Sequence, residues 1–164
     1  MGYASMKTLI IYASKHGCTE KCSNFLRDKL NGEVKIVDIK KDSIPEITEF
    51  DNIIVGGSIY MGRIQKEINN FCLVNSCTLI DKKLGFFTCG MSENEVAEKQ
   101  INTSFPEELL TNAVAKAHFG GEFIFKKMNF FERFIVKKIS KVNKDISKIS
   151  KENINKFAQL INNV

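Results

Sequence analysis

The stretch Lys7-Thr8-Leu9-Ile10-Ile11-Tyr12-Ala13, followed at once by Ser14-Lys15-His16-Gly17-Cys18-Thr19, decides how this chain is read. Its first half is a continuous apolar, β-rich run rather than an alternating one, the pattern of a central parallel strand covered on both faces. Its second half is a polar turn that opens into helix spacing. Cys22, Phe25, Leu26 and Leu30 recur three and four apart, and Asn31-Gly32 supplies a stop.

The alternation of strand and helix continues outward from there. Val34 to Asp38 reads as a second strand, and Asp51 to Ser58 as a third that ends in the small residues Gly56, Gly57 and Ser58. Ile64, Ile68, Phe71, Cys72 and Asn75 mark one helical face, and Leu84 to Thr88 is strand four, ending in Cys89-Gly90. A polar helical stretch follows around Glu93 to Gln100, Ala113 to Phe119 is strand five, closed by Gly120-Gly121, and Ile154, Phe157, Ala158 and Ile161 mark the last helix. This order predicts an α/β fold, a doubly wound five-stranded parallel sheet with right-handed crossovers. In such sheets ligands collect outside the carboxyl ends of the strands at the topological switch point, between strands one and three when the order is 2-1-3-4-5. The loops after Ala13 and Gly57 are therefore the ones to inspect.

The 164 residues fit one domain, assigned to 6–164, with Met1 to Ser5 as an N-terminal extension ahead of the first apolar run. No run approaches a membrane span, and the first residues lack the basic-then-apolar order of a secretory signal. The five cysteines, Cys18, Cys22, Cys72, Cys77 and Cys89, are odd in number, contain no C-x-x-C and match no common zinc spacing. They read as free thiols of a reducing cytoplasm, and no metal site is assigned.

Ser14 to Thr19 joins hydroxyls, a glycine and successive backbone N–H groups at a helix N-terminus, which makes an anion nest. Simple helix capping would use the same residue types. The loop is not a G-x-x-x-x-G-K-[ST] phosphate loop and no G-x-G-x-x-G occurs, so nucleoside triphosphates and NAD fit poorly. After strand three, Gly56-Gly57-Ser58-Ile59-Tyr60-Met61-Gly62 suits a flat ring lying against backbone, with Tyr60 or Met61 stacking on it; a plain turn is the alternative. No Ser-His-Asp or paired-carboxylate constellation can be assembled, which disfavours hydrolysis, and nucleic-acid-binding motifs are missing.

These loops carry a resemblance. Ser14-Lys15-His16-Gly17-Cys18-Thr19 is similar to the flavodoxin phosphate loop T-x-T-G-x-T, with His16 in place of a hydroxyl residue. Gly56 to Gly62 resembles the flavodoxin loop beside the isoalloxazine, and Thr88-Cys89-Gly90-Met91 stands where the third flavin loop would stand. The resemblance implies one FMN, with phosphate on Ser14, Lys15, His16, Gly17, Cys18 and Thr19. The ring would then lie between Ser58, Ile59, Tyr60, Met61 and Gly62 on one side and Thr88, Cys89, Gly90 and Met91 on the other. Within that superfamily the chain resembles the menaquinone-dependent protoporphyrinogen oxidases, through Gly56-Gly57-Ser58-Ile59-Tyr60-Met61-Gly62 and a basic aromatic insertion after strand five. The acidic stretch Ser92 to Glu98 has no obvious counterpart there. That likeness implies FMN-dependent oxidation of a reduced substrate, protoporphyrinogen IX first, with electrons leaving to a quinone. The same flavin cradle serves equally an electron-carrier flavodoxin with no small-molecule substrate, or a scaffold that has lost FMN. No catalytic side chain is implied.

The insertion, about 123–144, carries Ile124, Met128, Phe131, Ile135, Ile139 and Val142 at helical spacing, with Lys126, Lys127, Arg133, Lys137, Lys138 and Lys141 between them. Much of the net charge of +5 lies here. A basic amphipathic segment reads as peripheral membrane contact, on the inner face of the membrane, or as partner docking. A helix that packs its stripe on the domain reads the same way.

Overall fold

The computed structural model describes residues 4–141 and 144–163. Five strands form one parallel sheet: β1 (Lys7–Ala13), β2 (Glu33–Asp38), β3 (Asn52–Ser58), β4 (Lys83–Cys89) and β5 (Ala113–His118), in the order β2-β1-β3-β4-β5. The predicted fold and strand order are those observed. Register runs Ile10 beside Ile36 and Ile54, and Val55 beside Phe86, so apolar residues line up across the sheet.

Successive side chains of a strand point to opposite faces, so each continuous apolar run feeds two cores. Leu9, Ile11, Ile53, Val55 and Phe86 face one layer, built by α2 (Lys66–Val74), α3 (Ser76–Leu79), α4 (Asn94–Ser104) and α5 (Glu107–Asn112). Ile10, Ile54 and Phe87 face the other, against Cys22 and Leu26 of α1 (Cys18–Arg27) and Ile154, Phe157 and Ile161 of the C-terminal helix (Lys151–Asn162). Phe87 stacks on Phe119 at 4.6 Å between centroids, and Phe157 meets Phe119 edge-on at 5.3 Å.

Gly56 owes its identity to this packing. A Cβ there would lie inside the Phe87 ring, and one on Gly57 would sit 2.7 Å from Ile64 and Gln65. The sequence reading gave these glycines to a flat ligand; the structure gives both to side chains of the protein itself.

After β5 the chain leaves the sheet to form the insertion. A two-residue strand β6 (Glu122–Phe123) pairs antiparallel with β7 (Ile146–Ser147), a ribbon not foreseen from the sequence. Its neck is closed by the Lys148 N–H donating to the Gly121 carbonyl at 2.8 Å. Between them lies α6 (Phe130–Ser140), so the C-terminal helix is α7.

The uniform helical stripe predicted from Ile124 onward is corrected here. Residues Phe125–Lys127 form a single 3-10 turn, and α6 begins only at Phe130. Asn129 fixes that start: its side chain accepts from the Glu132 N–H at 2.8 Å while Glu132 reaches back to the Asn129 N–H. This reciprocal pair is a capping box. With the helix started there, Met128, Glu132, Ile135 and Val136 look toward the body, while Phe131 and Ile139, both assigned to the stripe, are 67 and 77% exposed. Val142 lies outside the described residues. Among the described residues no helix is long and apolar enough to cross a membrane.

Candidate functional site

A cleft of about 390 Å³ opens at the carboxyl ends of β1, β3 and β4, the predicted switch point. Its floor is made by Ser14, Lys15, His16 and Cys18 after β1, Ser58 to Gly62 after β3, and Cys89 to Ser92 after β4. Its roof is the inward face of α6. The structure thus brings Ser14, Lys15, His16, Cys18, Ser58, Ile59, Tyr60, Met61, Gly62, Cys89, Gly90 and Met91 together around one space. Gly17, Thr19 and Thr88 lie behind its surface.

In the first loop Gly17 takes φ +92° as the residue before α1, and its N–H donates to the Ser14 hydroxyl at 2.9 Å. A left-handed residue here turns consecutive N–H groups inward, which suits an anion. Thr19 follows in the first turn of α1, fully buried, and its hydroxyl has no hydrogen-bond partner among the described residues. A buried, unsatisfied hydroxyl costs about 1–3 kcal/mol, so one kept beneath an anion nest points to a ligand that completes it.

Two side chains of this loop converge on a carboxylate from the roof. Glu132 receives His16 Nε2 at 2.8 Å and Lys15 Nζ at 3.2 Å. Burial pushes the Glu132 pKa up, but hydrogen bonds from His16, the Asn129 backbone and Lys15 outweigh it and hold the carboxyl below its usual range. Lys127 is a further residue the sequence reading did not place: its ammonium lies over Gly17, where an added Cβ would meet it at 3.2 Å.

The second loop is a tight turn. Tyr60 and Arg63 exchange backbone hydrogen bonds of 2.9 and 3.1 Å, with Met61 at φ +50° and Gly62 at φ +78° between them. Two consecutive positive φ values define a type I′ geometry, which favours glycine at its second central position. Gly62 is therefore required by conformation, since nothing lies within 4 Å of where its Cβ would be. The Tyr60 ring carries Lys15 Nζ over its face, 3.2 Å from the centroid.

The third loop is held from behind by His118. Its Nε2 donates to the Gly90 carbonyl at 2.9 Å, so Nδ1, 3.0 Å from the Thr88 hydroxyl, accepts from it. That is the neutral imidazole, in keeping with burial, which lowers the His118 pKa. Thr88 thus turns away from the cleft and positions the loop through His118.

Cys18, Cys22 and Cys89 meet below the floor of the cleft. Hydrogen bonds from Cys22 and Cys89 hold the Cys18 thiol well below its usual pKa, while the same bonds to Cys18 push Cys22 and Cys89 up. No spacing rule joins Cys89 to the C-x-x-x-C pair, and the sequence reading missed this convergence. Its one available signal was that both segments end at the same rim of the sheet.

The sequence matches the flavodoxin domain family over residues 9–150. This chain belongs to the flavodoxin domain family. It is 20% identical over 146 residues to the protoporphyrinogen IX dehydrogenase (quinone) of Escherichia coli (strain K12), covering 84% of this chain and 81% of that protein. Among solved structures it resembles the two-electron reduced flavodoxin of Megasphaera elsdenii, with a TM-score of 0.58 at 16% identity, covering 93% of this chain and 98% of that one. It also resembles a Fusobacterium nucleatum flavodoxin variant bound to flavin mononucleotide, with a TM-score of 0.51 at 14% identity and 95% of each chain covered. At these identities the structural likeness speaks for the fold of this flavodoxin-domain protein.

Proposed function

We propose that the cleft holds FMN and that the chain is an FMN-dependent oxidoreductase. In this reading electrons pass from a reduced substrate, protoporphyrinogen IX first, to a quinone. The observation that carries the reading is the partnerless hydroxyl of Thr19 beneath the nest of Ser14 to Thr19, at the rim where the three loops meet. Bound there, the flavin supplies the hydride and single-electron chemistry, which is the cofactor's own.

The chain's residues divide the remaining work. Ser14, Cys18 and Thr19 would offer hydroxyl and backbone donors to the phosphate, Lys15 and Lys127 would bring positive charge, and His16 a ring N–H. Ser58 to Gly62 and Cys89 to Met91 would bracket the ring, the latter fixed in place by His118, while Thr88 acts only from behind through His118. Lys15 and His16, here on Glu132, are the side chains of the loop that would hold a phosphate bound in the nest. Met128, Ile135 and Val136 give the roof an apolar lining, which suits a large hydrophobic substrate.

The outer face of α6 supports delivery to a lipid-soluble acceptor. Phe130, Phe131 and Phe134 are 84, 67 and 56% exposed, with Lys126, Lys137 and Lys138 beside them. Exposed aromatics flanked by lysines form a surface for an anionic membrane, and a cytoplasmic chain would meet its inner leaflet. The decisive experiment is anaerobic turnover of purified protein with protoporphyrinogen IX and a menaquinone analogue. Quinone reduction matched by porphyrin formation is the expected result. Flavin binding with no turnover would favour an electron carrier, and a colourless protein that takes up no FMN would end the proposal.

A further inference from the structure

Three thiols converge at one point from two elements. Cys18 and Cys22 stand one turn apart at the start of α1, and Cys89 closes β4. Their sulfurs all lie within 4.8 Å of one another, and all are free. Cys72 shows the ordinary alternative: it is buried alone in the opposite layer, and burial pushes its thiol up to about 12.

We propose that Cys18, Cys22 and Cys89 form a three-coordinate thiolate site for a soft metal ion, with monovalent copper the ion whose chemistry it matches. Metal–thiolate bonds near 2.3 Å place three sulfurs in a plane about 4.0 Å apart. The observed limit of 4.8 Å closes to that value by small side-chain rotations. Thiolate ligands select copper(I), zinc and iron–sulfur clusters. Among the described residues no fourth Cys, His, Asp or Glu joins the group. A closed structural zinc site and the clusters are thereby left a ligand short, and zinc here would need a water as its fourth ligand, whereas copper(I) is satisfied by three thiolates. Glu122, the nearest carboxylate by charge, is engaged by Lys21 at 2.8 Å and by Ser147 at 2.9 Å.

Cys18 is the first residue of α1, where the helix dipole favours a thiolate. Entry is from the cleft, which Cys18 and Cys89 line. Binding releases the thiol protons, so affinity rises with pH. The site stands independently of the flavin reading.

The test uses the full chain as purified, reduced and kept anaerobic, titrated with copper(I) against a colorimetric copper(I) chelator. The expected result is one ion withheld per chain, with X-ray absorption showing three sulfur ligands at a single distance. Cys18→Ala, Cys22→Ala and Cys89→Ala should each lose that retention, while Cys72→Ala and Cys77→Ala keep it. Where a buried variant misfolds, the sulfur count on the wild type decides without it. Two sulfur ligands, retention by the triple alanine variant, or a wild type stripped as readily as that variant would overturn the proposal. So would a disulfide among the three in the anaerobic protein. Flavin content measured on the same samples keeps this outcome separate from that of the FMN reading.

Discussion

Replacing Thr19 by valine acts on the phosphate nest in two opposite directions. Valine keeps the β-branched shape and removes only the hydroxyl, which is fully buried and without a partner. Removing an unsatisfied polar group from the interior relieves a desolvation cost of about 1–3 kcal/mol. The flavin-free protein should therefore gain roughly 1 kcal/mol, taking the low end of that range because Oγ1 can lean toward the helix backbone. For a 164-residue domain this raises the Tm by about 2–4 °C. With FMN the sign reverses. A hydrogen bond to a charged phosphate is worth about 1.5–3 kcal/mol, so FMN affinity should fall roughly 10- to 150-fold. Riboflavin, which has no phosphate, should bind as before. Thermal melts of the flavin-free variant and fluorescence titrations with both flavins measure the two arms. A lower Tm together with equal changes in both affinities would show that Thr19 is ordinary helix packing, and the phosphate would have to sit elsewhere.

Other perturbations follow from the same geometry. Glu132→Gln removes the carboxylate that holds Lys15 and His16 to the roof, so limited proteolysis should cut residues 122–147 faster than in the wild type. Because the folded-state pKa of Glu132 is depressed, its contribution is complete above the ordinary carboxylate pKa and is lost as pH falls through the lower folded value. Wild-type cutting rates should thus rise only in acid, and Glu132→Gln should flatten that rise. Gly56→Ala should destabilise the fold by about 1–3 kcal/mol through overpacking against Phe87, and Gly62→Ala by about 1–2 kcal/mol through its left-handed backbone alone. Chemical denaturation would rank them, and a Gly56→Ala variant as stable as wild type would contradict the packing account. Lys126, Lys137 and Lys138 changed together to Gln should abolish salt-sensitive binding to anionic liposomes. Phe131→Ala should weaken that binding without moving the Tm, because its ring is mostly exposed; a lowered Tm would mean that the ring packs.

The sheet was legible because its three central strands carry continuous apolar runs, at 9–13, 53–57 and 84–87, which suit strands covered on both faces. The cleft followed from strand order alone, since loops at one rim must meet. What escaped reading depends on contacts between distant segments. Cys89 reaches Cys18 only through the pairing of Ser58 with Cys89 at the end of β3 and β4. Gly56 looked like a ligand's requirement because glycine reports crowding without naming the crowder, here Phe87. The apolar spacing of the insertion pointed to one continuous stripe. Asn129 and Glu132 override it, because a cap decides where a helix begins and hence which face it shows.

The neck at Gly121 and Lys148 has a consequence for how such a chain can diversify. Everything above the cleft hangs from two adjacent points of an otherwise finished sheet. Lengthening a loop whose ends already meet costs little, about 0.6 kcal/mol for each doubling. The floor has no such freedom, since Ser58 is paired with Gln65, Gly57 is crowded by Ile64 and Gln65, and Gly90 is held by His118. The segment from β6 to β7 is thus a cap set on a finished socket. Exchanging that one segment would re-address the same socket to a different acceptor while leaving every strand in register.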